Sequence, residues 1–414
     1  MIIKTIKELS LILFSFCFLT SSLFAEQDHY KNILVGDKAA TMGGAYIGIS
    51  NDISGTYYNP AGIAYSNGTG VSASANVYHT QHTVYKGAIR NQDWDRKSAQ
   101  LLPNFFGLMK TWGDNTLAFS IVVPDSFVQH QDQVYNNLPA TPTQPAINKY
   151  VFNLHSEDES YLIGPSYAFK FSDKFSIGTT LSYFYRKSRM QSYQNIWLAN
   201  GETESSTVTS DWGENGLAPK IGFRYSPMEN LSIGFTFFHV FIISSNFNSQ
   251  NTIKPRNSND ISFEQFTTKS KRNTSTQISV GLAYKLTDKW LLASDVDFNI
   301  SPQTDDFAPY GYQGVVNYSL GAEYTISKRH AVRAGFFTNQ SNMNEPSDES
   351  SLITHINMYG IATGYSYGMD STSITIGLIY SAGSGKAQVY EDIPHSVDVN
   401  RYTLTGVLAT SYSF

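Results

Sequence analysis

The feature that most constrains this chain is a period of two. From Gly68 onward, apolar and polar side chains alternate in segments of about ten residues, and short polar turns join the segments in pairs. Alternation places one set of side chains on each face of a strand. About ten residues is the length a tilted strand needs to cross a bilayer. The pairs are Phe105 to Trp112 with Thr116 to Val123, Tyr161 to Phe171 with Phe175 to Lys187, and Leu217 to Tyr225 with Leu231 to Ser244. They continue with Ser275 to Leu286 and Trp290 to Ile300, Val315 to Ile326 and His330 to Thr338, and Ile356 to Gly368 and Thr372 to Ser381. The turns resemble one another: Ser172-Asp173-Lys174, Thr287-Asp288-Lys289 and Ser327-Lys328-Arg329. This is a degenerate hairpin repeat.

Val71 to Tyr78 precedes the hairpins and Tyr402 to Phe414 follows them, for about fourteen strands. The even count suits a single-chain barrel. The predicted fold is all-β, a transmembrane antiparallel β-barrel of about fourteen strands. Residues 82–100, 125–157, 190–212, 247–270, 302–312, 341–353 and 385–398 read as long loops on the face opposite the short turns. The prolines of 125–157 suggest an extended surface excursion or lid. Short turns face the periplasm in such barrels, and an even count puts both termini there.

Composition supports a membrane wall built of strands. Past the first twenty-five residues no apolar run approaches the ~20 residues of a membrane helix; Phe235 to Ile243 is the longest. Charged residues are 15% of the chain, against roughly a quarter in ordinary soluble domains. The 27 Tyr and 26 Phe suit aromatic girdles at two membrane interfaces. A net charge of −5 argues against a nucleic-acid partner. Residues 1–25 read as a signal peptide, with Lys4 and Lys7 before the apolar run Leu9 to Leu19 and cleavage near Ala25. Cys17, the only cysteine, lies inside that run. A lipoprotein signal there fits poorly, because the apolar run would be cut short.

Between signal and barrel, residues 26–67 show no strand pattern. Gly36 to Ser50 is rich in Gly and Ala, which lets a backbone pass close to its neighbours. Pro60 suits the first turn of a short helix, with Asn59 as its cap. Gly43-Gly44-Ala45, Asp52 and Asn59-Pro60-Ala61-Gly62 together resemble the N-terminal hatch of the FadL/TodX family, outer-membrane transporters of long-chain fatty acids and other hydrophobic compounds. The resemblance implies that 26–67 plug the lumen of the 68–414 barrel and that Gly43, Gly44, Asn59, Pro60, Ala61 and Gly62 form or gate the plug. It implies uptake of hydrophobic molecules, with long-chain fatty acids as the expected ligand. A generic plug in another kind of barrel is the alternative.

Alternation also assigns faces. On Trp290 to Ile300 the lipid set is Trp290, Leu292, Val296, Phe298 and Ile300, which leaves Asp295 and Asp297 inside. A carboxylate facing lipid near the midplane costs up to a few kcal/mol. The same logic places Lys170, Arg186, Lys220, Arg224, Lys285, Arg333 and Glu323 inside. These charges fit either recognition of a ligand carboxylate, with Arg186 and Arg333 the candidates, or a structural ion-pair network. On Leu231 to Ile243 the inner face turns apolar at Phe238, Val240 and Ile242, which suits either a greasy ligand or packing against the plug. Tyr193, Ile196, Trp197 and Leu198 in one predicted loop, and Ile261, Phe263 and Phe266 in another, fit either self-packing or the family's hydrophobic landing groove.

The last strand puts Tyr402, Leu404, Leu408, Tyr412 and Phe414 on one face. A terminal Phe414 with Tyr412 before it resembles the signal read by barrel-assembly machinery. No phosphate loop, Gly-x-Ser-x-Gly or His-Glu-x-x-His appears, so the expectation is a transporter without catalysis or cofactor. It is expected to be a monomer among outer-membrane lipids. A secretion accessory, adhesin or receptor barrel and a diffusion porin are the other readings.

Overall fold

The computed structural model describes residues 29–414 apart from 67, 143, 257, 259, 305–310, 347–352 and 389–395. The segment read as a signal peptide lies outside the described residues. The described chain begins with two short helices, α1 (Lys38–Thr41) and α2 (Gly55–Tyr58), and a 3-10 helix at Pro60–Tyr65. The strands are β1 (Gly70–Ile89), β2 (Gln92–Trp112), β3 (Asn115–Leu138), β4 (Ile147–Ser172), β5 (Phe175–Leu198) and β6 (Thr203–Met228). Then come β7 (Leu231–His239), β8 (Phe241–Lys254), β9 (Ser262–Thr268), β10 (Thr276–Lys285) and β11 (Trp290–Ile300). The chain ends with β12 (Val315–Ser327), β13 (His330–Asn339), β14 (Thr354–Met369), β15 (Thr372–Ala387) and β16 (Val397–Ser413).

All pairings are antiparallel, and β1 pairs with β16 to close the sheet. The wall has fourteen staves. Strands β7 and β8 form one stave interrupted at Val240, since both pair with β6. Strand β9 pairs with β8 alone and hangs outside the ring. The alternation places its faces as expected. Trp290, Leu292, Phe298 and Ile300 are exposed on the outer surface, and Asp295 and Asp297 are buried inside. Closure leaves the ring without a free edge, which an apolar solvent demands.

Most of the predicted long loops are strand instead. β4 and β6 run for 26 residues each, far beyond the ~10 needed to cross a bilayer. Within 125–157, β3 and β4 form a continuous ladder from Asp125↔Ser160 to Leu138↔Ile147, in place of the predicted excursion. Gln129, Gln131 and Gln133 alternate there with His130 and Asp132. Both faces are polar, so hydrophobic periodicity carried no signal. Inside this sleeve Trp94, Phe152, Leu154, Met190 and Trp212 form a buried aromatic and apolar cluster.

Besides local bulges, two departures from ideal pairing bear on the interior. The β2–β3 ladder stops at Phe105↔Val122, next to Pro103 and Pro124, which have no N–H to donate. Side chains bridge the seam beyond it: Arg96 Nη2 donates to Gln129 Oε1 at 2.7 Å and Gln100 Nε2 to the Ser126 carbonyl at 3.0 Å. The second is Val240. Past it, Phe241 to Asn246 pair with β6 but not with β9. Residues 269–275 run there without strand structure.

Candidate functional site

The residues from 29 to 66 fill the lumen. Val35, Ala39, Ala40, Met42, Ala45, Tyr46, Ala61 and Ile63 have no exposed surface. The Asn59 side chain organises the turn. Its Oδ1 accepts from the Ala61 N–H at 3.1 Å, and its Nδ2 donates to the Ile47 carbonyl at 3.0 Å and the Phe223 carbonyl at 3.1 Å. Asn59 thus caps the Pro60–Tyr65 helix, as the sequence suggested, and also ties it to the wall. Gly43 and Gly44 leave α1 with φ of 67° and 78°, a left-handed path that glycine adopts without strain. Gly62 packs against Ser50 with no room for a Cβ.

The barrel receives this segment in four notches, each made by two glycines facing each other across neighbouring strands. Gly178 pairs with Gly222, Gly234 with Gly281, Gly321 with Gly335, and Gly364 with Gly377. A Cβ at any of the eight would come within 3.0 Å of the hatch. The first notch holds Asn59-Pro60-Ala61, the second Ile47 and Gly48, the third Met42 and Gly43, and the fourth Thr41. Sequence reasoning missed these glycines. An isolated glycine inside a strand signals a close backbone approach, and that signal was present at each.

Polar wall side chains clasp the hatch backbone between the notches. Asp295 Oδ2 accepts from the Tyr46 and Ile47 N–H groups at 2.6 and 2.8 Å. Ser176 donates to the Ala61 carbonyl at 2.8 Å, Ser232 to the Gly48 carbonyl at 2.8 Å and Thr180 to the Thr56 carbonyl at 2.9 Å. Lys220 donates to the Tyr57 carbonyl. Lys31 pairs with Asp297 at 2.6 Å, and Lys38 with Glu323 at 2.8 Å. Arg333 bonds Glu323 at 2.6 Å and lies 3.8 Å from Asp37. Most inner charges therefore hold the hatch. Lys170 and Lys285 pair instead with Asp173 and Asp288 in the short turns.

Above the hatch lies a cavity of about 190 Å³. Tyr57 from the hatch forms part of its lining, and Leu162, Phe184, Phe238 and Val240 give it apolar wall. Burial pushes the Tyr57 phenol above its ordinary pKa, with Asp297 and Asp125 adding to the shift, so it stays neutral. Arg186 also lines the cavity, 4.5 Å from the Trp212 ring of the sleeve cluster. Its charge is fully engaged. It donates to Asp158 through Nε at 2.9 Å and to Glu214 at 3.2 Å. Arg272 donates to the same Glu214 at 2.7 Å. Asp125, which accepts from Asn32 at 3.1 Å, adds a third carboxylate against two guanidinium groups.

Of the expected ligand residues, Phe238, Val240 and Arg186 meet in this cavity, and Ile242 packs against the apolar cluster that contains Leu162 and Phe184 without lining it. The rest do not line it. Leu198 is buried in the sleeve cluster, and Trp197 is exposed at the strand end with Lys149 5.6 Å above its ring. Phe263 and Phe266 stand exposed on β9. Arg333 sits beside the hatch.

A closed fourteen-stave barrel with an apolar outer wall, filled by its own N-terminal segment, defines a plugged membrane barrel. The sequence matches no family model and no curated protein. Among solved structures it is similar to a Pseudomonas aeruginosa FadL homologue at 12% identity and a TM-score of 0.66, covering 93% of this chain and 100% of that one. It is similar to the P. putida toluene transporter TodX at 12% identity and a TM-score of 0.63, covering 92% and 98%. The Ralstonia pickettii toluene transporter TbuX gives 14% identity and a TM-score of 0.62, again over 92% and 98%. The chain shares the barrel fold of these FadL- and TodX-type structures.

Proposed function

We propose that this protein carries small, uncharged hydrophobic molecules across the outer membrane, with the hatch as its gate. The observation behind this reading is the 190 Å³ cavity, whose apolar lining comes from Leu162, Phe184, Phe238 and Val240 and which the hatch residues His29, Tyr30, Asn32 and Tyr57 border. A greasy ligand gains free energy on leaving water for such a cavity. Ligand there bears directly on the hatch next to Asn59-Pro60-Ala61. Transport then follows from tighter binding to a shifted hatch than to the seated one, the only source of a population shift in the absence of another energy input.

A long-chain fatty acid, the ligand implied by the resemblance, fits less well. A carboxylate needs an uncommitted cation, whereas Arg186 and Arg272 are already held by Asp158 and Glu214. The protein works as a monomer among outer-membrane lipids in this reading, delivered by its signal peptide and assembled through the Phe414 strand. The test is uptake of labelled toluene and labelled palmitate by intact Gram-negative cells lacking their own hydrophobic channels. The reading expects toluene uptake that changes in an Asn59→Ala variant. Absence of uptake from correctly inserted protein counts against transport, and uptake of palmitate alone counts against an uncharged ligand.

A further inference from the structure

We propose that Asn299 and Gln277 form an amide subsite that selects aromatic molecules bearing one hydrogen-bonding oxygen, such as phenols and aromatic ketones. The proposal rests on the transport reading above and narrows its substrate class. It begins from a row of side chains at one height on the inner wall. In register, Lys220 of β6 faces Phe238 of β7, Phe238 faces Gln277 of β10, and Gln277 faces Asn299 of β11. Phe238, Gln277 and Asn299 all line the cavity above the hatch. A ring surface and two amides thus stand side by side across adjacent strands.

Asn299 is 4% exposed, and its Nδ2 has no hydrogen-bond partner among the described residues. An orphaned buried donor is costly, and such groups call for a water, an ion or a ligand. Neighbouring polar wall residues of the same stave are committed: Asp297 pairs with Lys31 and accepts from Ser279 at 2.5 Å, and Asp295 holds the hatch. Asn299 alone of these three serves neither the hatch nor a neighbour. Gln277 makes no hydrogen bond through its side chain among the described residues either, and it offers both a donor and an acceptor.

The chemistry of the ligand follows. A cavity of roughly 150 Å³ holds a benzene ring, and this one is of that order. The ring rests against Phe238 and Tyr57. Its oxygen accepts from Asn299, and a phenolic O–H donates to Gln277. A carboxylate is disfavoured, because the guanidinium groups lining the cavity, Arg186 and Arg272, are already held by Asp158 and Glu214. A plain hydrocarbon fits the ring site but leaves both amides unpaired.

The experiment compares labelled p-cresol with labelled toluene, which differ by one hydroxyl, in intact cells producing the full chain. Wild-type protein is expected to take up p-cresol about tenfold faster than toluene at equal low concentration, the ratio given by one hydrogen bond's worth of discrimination. Asn299→Leu and, separately, Gln277→Leu should bring the two rates together by slowing p-cresol relative to toluene. Heat-modifiable gel mobility shows that the variants are folded and inserted. Equal rates in the wild type, or an unchanged ratio in both variants, overturn the amide subsite and leave the transport reading intact. Failure of both molecules to enter through inserted wild-type protein overturns the transport reading and this inference together.

Discussion

Replacing Gly178 by alanine should unseat the hatch while leaving the barrel closed. The added Cβ would lie 2.5 Å from the Pro60 carbonyl oxygen and 2.6 Å from the Ala61 nitrogen, where ordinary contact begins at 3.4 Å. Both obstacles are backbone, so no rotamer change relieves them. The first notch must open by roughly 1 Å, and the bonds that cross it, from Asn59 to the Phe223 carbonyl and from Ser176 to the Ala61 carbonyl, stretch with it. Overpacking of this kind costs about 1–3 kcal/mol, which raises the unseated population by roughly 5–150-fold. A cysteine reports that population. Cys17 is the only native one and lies in the predicted signal peptide, so an Ala64→Cys variant of the mature barrel carries a single thiol. Ala64 is 8% exposed, and maleimide reaches it only when the hatch moves. Labelling should accelerate by the same 5–150-fold in Gly178→Ala. Gly213→Ala is the control, since a Cβ there meets nothing within 4 Å. Equal labelling of the two variants, with both barrels folded by heat-modifiable gel mobility, would refute the notch argument.

Other changes test the remaining contacts. Asp295→Ala leaves the Tyr46 and Ile47 N–H groups without their acceptor; about 1–3 kcal/mol per orphaned group should again speed labelling at position 64. Arg186→Leu strands Asp158 and part of the Glu214 charge in a buried setting, where removing one partner costs about 3–5 kcal/mol; the barrel should lose its folded gel mobility at a lower temperature. Pro60→Ala should loosen the capped turn and alter ligand uptake, and unchanged uptake would count against gating at that turn. Burial holds the Asp37 carboxyl above the usual carboxylate range against the pull of Arg333. A raised acid pKa favours the protonated folded form, so this contribution to hatch seating is present below the ordinary value and lost as pH rises through the raised one. Asp37→Asn should therefore flatten the pH dependence of hatch labelling over that interval.

The sequence made the lower barrel legible because lipid outside and polar contacts inside impose opposite chemistry on alternate residues. Trp290 to Ile300 could be assigned face by face for that reason. The short turns and the Asn59 cap are local features and were equally readable. The sleeve was not, because above Asp125 β3 carries glutamine on one face and histidine and aspartate on the other and so shows no amphipathic period. The break at Val240 left no trace either, since Phe237, His239 and Phe241 keep the same phase across it. The glycine notches depend on register. Each glycine was visible alone, but only strand pairing shows that Gly178 meets Gly222 and Gly321 meets Gly335. The subsite amides hid among many polar inward residues, and what singles out Asn299 is the absence of a partner, a property of packing.

The central claim is that molecules pass only when the hatch leaves its notches. A Thr41→Cys, Gly377→Cys double variant tests it directly. A Cβ at position 377 would sit 2.7 Å from Thr41 Cγ2, close enough for a disulfide to pin the hatch in its fourth notch. Toluene uptake by cells carrying this variant should stop under oxidising conditions and resume after reduction. Uptake at the wild-type rate with the disulfide fully formed would contradict the account.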